Sequence, residues 1–285
     1  MAESRVLVTG CGGVGVGRAT AVALKARGHT VIATARDGST IDDLDADLRL
    51  ELDVTDPGSI ERALEAAGPV TALVNNAARG ASAPAEHWPA EVVRHMCELY
   101  IVGPLLLAQG VIPGMRQRGH GTIVNVTSAA GHAGVPLTAG YAAGKAGMAM
   151  LTEVMALELR GFGIRVCTVV PGNTRSEMHL SVQRFGFEDP PYQPLFDGLA
   201  ASRERRGTAA QTGPEVLAME IARLIEGPVS DVHHTAQADA AELLELHRTL
   251  PWPDYARFSL DRYMGVENGW DIEPSEGSPT ESTAE

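Results

Sequence analysis

The chain has 285 residues, 44% of them apolar, enough to bury a substantial core, and one globular domain is expected. A formal net charge of −13 argues against a nucleic-acid or anionic-membrane partner, and six acidic residues beyond Arg262, where no basic residue follows, put nearly half of that excess in a tail. No run of about 18 apolar residues could span a bilayer, and Met1-Ala-Glu-Ser-Arg5 leads straight into a strand-like segment, so a cytoplasmic protein is expected.

Short β-branched runs alternate with longer alanine- and leucine-rich stretches, the pattern of βαβ units around a parallel sheet. Strands are expected at Val6 to Thr9, Thr30 to Ala35, Leu50 to Val54, Ala72 to Asn75, Thr122 to Val126 and Ile164 to Val170, with a last one near Val232 to Thr235. The fold class is therefore α/β, a doubly wound parallel sheet of about seven strands. Helices are expected at Arg18 to Ala26, Ser59 to Ala67, Ala90 to Met115 and Tyr141 to Arg160, stopped by Gly28, Gly68, Gly119 and Gly161. Another should run from Pro214 to Glu226, and two more should begin at Ala238 and Asp254. Between them Asn173 to Thr212 loosens into a long segment holding three of the five phenylalanines, which reads as a substrate lid over 175–212; an ordinary surface helix pair with core aromatics is the alternative. The domain should end near residue 267, before a Pro-, Ser-, Glu- and Thr-rich disordered tail over 268–285. Cys11, Cys97 and Cys167 lack any Cys-x-x-Cys spacing and are expected as buried thiols. The adjacent His233 and His234 diverge and have no third ligand, so no metal is expected.

The first strand ends in Thr9-Gly10-Cys11-Gly12-Gly13-Val14-Gly15-Val16-Gly17, and Arg18 follows at the start of a helix. Glycines there let the backbone approach a pyrophosphate, whose charge is favoured by the amides of the helix N-terminus. Thr9, Gly10, Gly15, Val16 and Gly17 are thus candidates for holding a dinucleotide, and the sheet is of Rossmann type. The second strand ends in Ala33-Thr34-Ala35-Arg36-Asp37. A ribose without a 2′-phosphate usually meets an acid at this point, whereas a phosphate needs a cation. NADPH is expected over NADH, with Arg36 and then Arg18 as the phosphate's partners; Asp37 would reverse the choice.

Tyr141 and Lys145 lie four residues apart in Tyr141-Ala-Ala-Gly-Lys145, and Ser128 lies thirteen residues before Tyr141, at the end of the run Ile123-Val-Asn-Val-Thr-Ser128. On a helix, four-residue spacing sets phenol and ammonium one turn apart on one face. Of 23 basic residues, 21 are arginine, so a chain that favours arginine keeps an ammonium at Lys145, where a compact point charge is not interchangeable with a guanidinium. For ketone reduction, charge builds on the substrate oxygen, which calls for a proton donor, Tyr141, and a hydrogen-bond donor, Ser128. Bringing a phenol from near 10 to about 7 takes roughly 4 kcal/mol, which a unit charge about 4 Å away supplies at an effective dielectric near 20. Lys145 is the expected source of that shift.

Together these motifs resemble the classical short-chain dehydrogenases/reductases from about Arg5 to Gly227, with one extra residue between the first two glycines. The resemblance implies that Asp53, with Val54 in Leu52-Asp-Val-Thr55, meets the adenine. It implies that Asn76 and Ala77 of Asn75-Asn-Ala-Ala78 lie along the cofactor, and that Pro171, Gly172 and Thr174 bracket the nicotinamide. Tyr141 and Lys145 would also touch the cofactor, Lys145 through the nicotinamide ribose. The glycine turn, the Ala-Thr-Ala-Arg strand end and the C-terminal helices look most like the branch of hydroxysteroid, retinol and acyl-dihydroxyacetone-phosphate reductases, which handles bulky lipophilic alcohols and ketones. Arginine and alanine enrichment suggests a GC-rich bacterial gene, in which such reductases often serve secondary metabolism or lipid catabolism. In one respect the chain departs from the family: Tyr100 stands where the family places a catalytic asparagine, and no asparagine occurs between Asn76 and Asn125.

The expected activity is NADP(H)-dependent reduction of a ketone or aldehyde, or the reverse oxidation, on a small-molecule substrate. The alternatives are an epimerase, dehydratase or cyclase that binds the cofactor without consuming it, and a non-catalytic NADP(H)-binding protein. A homodimer or homotetramer is implied by the resemblance, with the helices from Ala90 and Tyr141 packing against copies of themselves.

Overall fold

The structure, a computed structural model, describes residues 3–177, 182–206 and 212–265. The expected acidic tail and parts of the expected lid lie outside those residues. Seven parallel strands form one sheet in the order β3-β2-β1-β4-β6-β7-β9: β1 (Arg5–Val8), β2 (Thr30–Ala35), β3 (Leu48–Glu51), β4 (Ala72–Asn75), β6 (Gly121–Val126), β7 (Ile164–Val169) and β9 (His233–His234). The strand order reverses at β1 and β4, so a crevice opens beyond their C-terminal ends, the usual ligand position in a doubly wound sheet.

Alternation along the strands divides the core in two. In β1, Leu7 faces a layer with Ile60, Leu107 and Met148, from α2 (Pro57–Ala67), α4 (Gly103–Arg118) and α5 (Ala139–Leu159). Its neighbours Val6 and Val8 face Leu24, Leu217 and Ile221, from α1 (Val16–Ala26) and α7 (Pro214–Glu226). Both faces of the sheet are thus covered, which is why its strands read as unbroken apolar runs.

The remaining elements are α3 (Ala90–Cys97), the short strands β5 (Ala81–Ser82) and β8 (Gln183–Arg184), α6 (Gln193–Arg206), α8 (Ala238–Thr249) and α9 (Trp252–Met264). The expected single helix from Ala90 to Met115 is α3, a π-helical turn over Glu98–Val102, and α4 running on to Arg118. The turn precedes Gly103, where a Cβ would stand 2.1 Å from the Val54 carbonyl oxygen, and Pro104, which has no N–H to give the preceding turn. The composite of 29 residues holds an 18-residue window with a mean hydropathy of 1.5, the length and composition of a membrane span, yet Met96, Tyr100, Leu107 and Met115 lie inside the sheet's core.

Other boundaries shift by a few residues. The third strand ends at Glu51, which leaves Asp53 in the loop before α2. The helix carrying Tyr141 begins at Ala139, and its positive-φ stop is Gly163, not Gly161. The last helix begins at Trp252. Part of the expected lid is ordered structure: β8 pairs in parallel with β5, and α6 packs on α9. Cys11 and Cys167 are buried as expected, whereas Cys97 is partly exposed.

Candidate active site

The end of β1 is stapled to the end of β4. The Thr9 hydroxyl accepts the amides of Asn76 (2.9 Å) and Ala77 (3.0 Å), and the Asn76 side-chain amide donates to the carbonyls of Thr9 (2.8 Å) and Gly10 (3.1 Å). These bonds hold the first glycine turn against the fourth strand. Gly10 has φ +72°, and a Cβ on Gly17 would lie 2.3 Å from the Gly10 oxygen, so backbone packs directly on backbone here. The N-cap of α1 is Gly15, which offers no side-chain cap, and no acid occupies the helix's first turn. First-turn amides left without an internal partner suit an anion. This turn therefore fits a dinucleotide pyrophosphate.

The strand ends beyond β2 and β3 form the next part of the wall. Asp37 caps its own short 3-10 turn, its Oδ1 accepting the Ser39 amide (3.0 Å) and hydroxyl (2.7 Å), and these bonds hold its carboxyl below the usual range. Arg36 is exposed and takes no hydrogen-bond or ion-pair partner among the described residues. Burial raises the Asp53 carboxyl, but the Thr55 amide and hydroxyl, with the nearby Arg36, outweigh it and leave the group below its ordinary range. Below the site, Asn75 donates to Asn125 (2.8 Å) and Asn125 to Thr152 on α5 (2.8 Å), a buried chain that locks β4, β6 and α5 together.

α5 carries Tyr141 and Lys145 on one face, and the chain enters it through Leu137 at φ +64°, whose carbonyl accepts the Ala83 amide. Ser128 follows β6 and caps a 3-10 turn, its oxygen accepting the Ala130 amide at 3.2 Å. Burial pushes the Tyr141 phenol above its usual range, and a hydrogen bond with Ser128 acts against that rise. Lys145 is 2% exposed; burial lowers its amine to about 7, and its Nζ donates to the Val126 carbonyl at 2.7 Å. In this structure without cofactor, burial governs both groups, and the Lys145 amine bonds to a carbonyl.

Ser128, Tyr141 and Lys145 line one cleft of about 940 Å³ together with Gly10, Gly15, Val16, Arg36, Asp53, Val54, Asn76, Ala77, Pro171, Gly172 and Thr174. That volume is near the top of the range of about 300–1,000 Å³ for small-molecule sites. Three sequence candidates stand behind the wall instead. Thr9 and Gly17 shape the turn from inside. Arg18 is held by Asp43 (2.7 Å) and the Thr40 carbonyl (2.8 Å), because the third residue of α1 reaches the loop after β2, so it does not line the cleft.

Some of the framework was not foreseen. Gln237 and Asp239, at the start of α8, hold the Pro171–Gly172 turn: Gln237 accepts the Gly172 amide (2.8 Å) and Asp239 the Asn173 amide (2.6 Å). Glu177 packs its carboxylate against Gly13 at the cleft mouth. On the lid side, His87 bonds Asp189 at 2.6 Å, and Glu86 lies close enough that the three bring ligand atoms within 4.8 Å of one another. The direct His–Asp bond accounts for that closeness. His233 pairs with Glu153 and Thr168, and His234 with the Asp231 carbonyl.

The family described as short chain dehydrogenase matches residues 4–185. The chain belongs to the short-chain dehydrogenase family. It is 33% identical over 230 residues to the short-chain dehydrogenase ptmH of Penicillium ochrochloron, covering 78% of this chain and 84% of that one. It is 38% identical over 180 residues to L-xylulose reductase of Mus musculus, covering 60% of this chain and 72% of that one. Among solved structures, a short-chain dehydrogenase from Streptomyces avermitilis superposes with a TM-score of 0.76 at 30% identity, covering 95% of this chain and all of that one. The family's dinucleotide-binding sheet and oxidoreductase chemistry account for the crevice position and the glycine turn.

Proposed function

We propose that this dehydrogenase uses NADP(H) to reduce a ketone or aldehyde, or to oxidise the corresponding alcohol, of a bulky lipophilic or secondary-metabolite substrate. The observation that carries the reading is the convergence of Ser128, Tyr141 and Lys145 on the cleft whose other end is the glycine turn. Preference for the 2′-phosphate is supported by Arg36, free at the end of β2, and by Asp37, whose carboxylate is spent on Ser39.

Bound in the crevice, the dinucleotide supplies the hydride. Ser128 donates a hydrogen bond to the carbonyl oxygen and Tyr141 gives it a proton as charge develops there. A phenol kept neutral by burial is ready to act as that acid. Lys145, as ammonium, favours the phenolate left behind and holds the nicotinamide ribose. Assembly into a homodimer or homotetramer through α5 is supported by its exposed stripe of Met150, Val154 and Leu157.

Tyr141→Phe tests the reading. It removes one hydroxyl from the cleft, so reduction across a carbonyl panel should fall by about 10²- to 10⁴-fold with folding intact. Net NADPH oxidation by the unaltered protein, weaker with NADH, is the expected companion result. Activity retained in the variant removes Tyr141 from the mechanism, and equal use of NADH removes Arg36.

A further inference from the structure

We infer that Tyr100 is a positioning residue for Lys145: its ring face seats the ammonium, and its hydroxyl, gripped by both backbone groups of Arg79, fixes that ring to the cleft wall. The consequence for turnover rests on the reductase reading, but the contacts do not. Tyr100 is fully buried in the π-helical turn between α3 and α4. The Lys145 Nζ lies 4.2 Å from the centre of its ring. Lys145 is buried without a carboxylate partner among the described residues, and the groups that face it are the Val126 carbonyl on β6, Ser128 beyond that strand, Tyr141 one turn back on α5, and Tyr100. A ring face attracts a desolvated cation through its quadrupole, so Tyr100 does what an anion would otherwise do.

Two more contacts set the ring. The Tyr100 hydroxyl donates to the Arg79 carbonyl at 2.5 Å and accepts the Arg79 amide at 3.0 Å. With both capacities spent on backbone, the hydroxyl is a strut and not a proton carrier. The ring meets Tyr141 edge-on, centroids 5.6 Å apart at 90°. Gly144, inside the Tyr141–Lys145 turn, makes room for it: a Cβ there would stand 2.7 Å from Tyr100 Cδ2. One side chain thus touches the proposed acid, its cationic neighbour and the wall of the cleft.

The chain's two lysines, Lys25 and Lys145, allow a direct test. Lysine labelled with ¹³C at Cε gives two signals, and Lys25→Arg assigns them, so Lys145 can be titrated in the full chain without cofactor. Tyr100→Phe keeps the ring and should leave the Lys145 midpoint near that of the unaltered protein. Tyr100→Leu removes the face and should lower the midpoint by about one unit. The high-pH limb of kcat/KM for carbonyl reduction should move down with it, because the ammonium is the active form. Should Tyr100→Leu fail to fold, phenylalanine and 3,4,5-trifluorophenylalanine at position 100 differ in ring charge at nearly constant size, and the fluorinated ring should give the lower midpoint. An unchanged midpoint in a folded Leu variant, or between the two phenylalanines, overturns the inference. Absence of carbonyl reduction in the unaltered protein overturns the reductase reading alone, since the titration needs no turnover.

Discussion

The glycine turn and the segment expected as a lid are built by different means. At the glycine turn, backbone lies on backbone, and short polar side chains, Thr9 and Asn76, bridge two adjacent strand ends with four hydrogen bonds. At the lid, two-residue strands pair, Phe187 stacks on Phe196 at 4.2 Å, and His87 reaches Asp189 across 102 positions of sequence. The first end has almost no freedom to adjust, because a close backbone approach admits no side chain. The second is a set of separable contacts, each of modest energy. Damage should therefore be severe and local at the turn, and shallow and graded at the lid.

The sharpest contrast comes from one methyl group. Gly17→Ala would set a Cβ 2.3 Å from the Gly10 oxygen and 2.5 Å from the Asn76 side-chain nitrogen, both part of the turn itself. Overpacking of this kind costs about 1–3 kcal/mol, and here the displaced atoms are the pyrophosphate cradle. Calorimetric titration should show NADPH affinity reduced by at least about a hundredfold, equivalent to about 2.7 kcal/mol. Gly38→Ala, where an added Cβ meets nothing within 4 Å, is the matched control and should change stability by no more than about 0.5 kcal/mol. Equal tolerance of both substitutions would mean that the glycine turn adjusts as freely as open backbone does.

A second prediction concerns the charge buried in the cleft wall. Burial lowers the Lys145 amine of the folded protein to about 7, from an ordinary value of 10.5. Between those values the unfolded chain holds a proton that the folded one has released, so stability should rise with pH through this window, by at most about 1.4 kcal/mol per unit. Below 7 both forms are protonated and the cost of the buried charge is constant. Cys11 and Cys167, raised to about 12 by burial, act oppositely above their ordinary value of 9.0. The comparison is therefore with Lys145→Met, which keeps the thiols. Chemical denaturation of the two proteins without cofactor should show the unaltered chain gaining on the variant from pH 7 upward. Parallel curves would mean that the ammonium is as well accommodated in the fold as in water.

The same division decides what the sequence could reveal. The strand ends and the glycine turn were legible because they depend on neighbours in sequence: apolar runs of four to six residues, glycines after the first, and a tyrosine and lysine one helical turn apart. The parallel sheet followed from βαβ alternation. Hidden features were those set by partners far away in sequence. Arg18 follows the glycine turn, as a phosphate ligand would, but Asp43, distant by 25 residues, takes it. Gln237 and Asp239 reach the Pro171–Gly172 turn from more than sixty residues away, and no local pattern marks them. Tyr100 was recognisable as an odd residue at its position, yet its partnership with Lys145 needed the widened turn and the missing side chain of Gly144.

The smallest expected effect lies at the lid. Asp189→Asn keeps the shape of the side chain but removes the charge opposite His87, whose ring also packs on Gly186 and meets Tyr192 edge-on at 5.9 Å. The two side chains are 33% and 28% exposed, so solvent screens the pair, and its contribution belongs with partly exposed ion pairs at about 0.2–1 kcal/mol. That corresponds to no more than about a fivefold change in an equilibrium constant. The expected signature is a KM for the carbonyl substrate raised a few-fold, with kcat and NADPH affinity unchanged, because the pair contacts neither the glycine turn nor the residues proposed for chemistry. A rise in the NADPH dissociation constant of similar size would show instead that the His87–Asp189 contact and the glycine turn are coupled, and the two regions would have to be treated as one element.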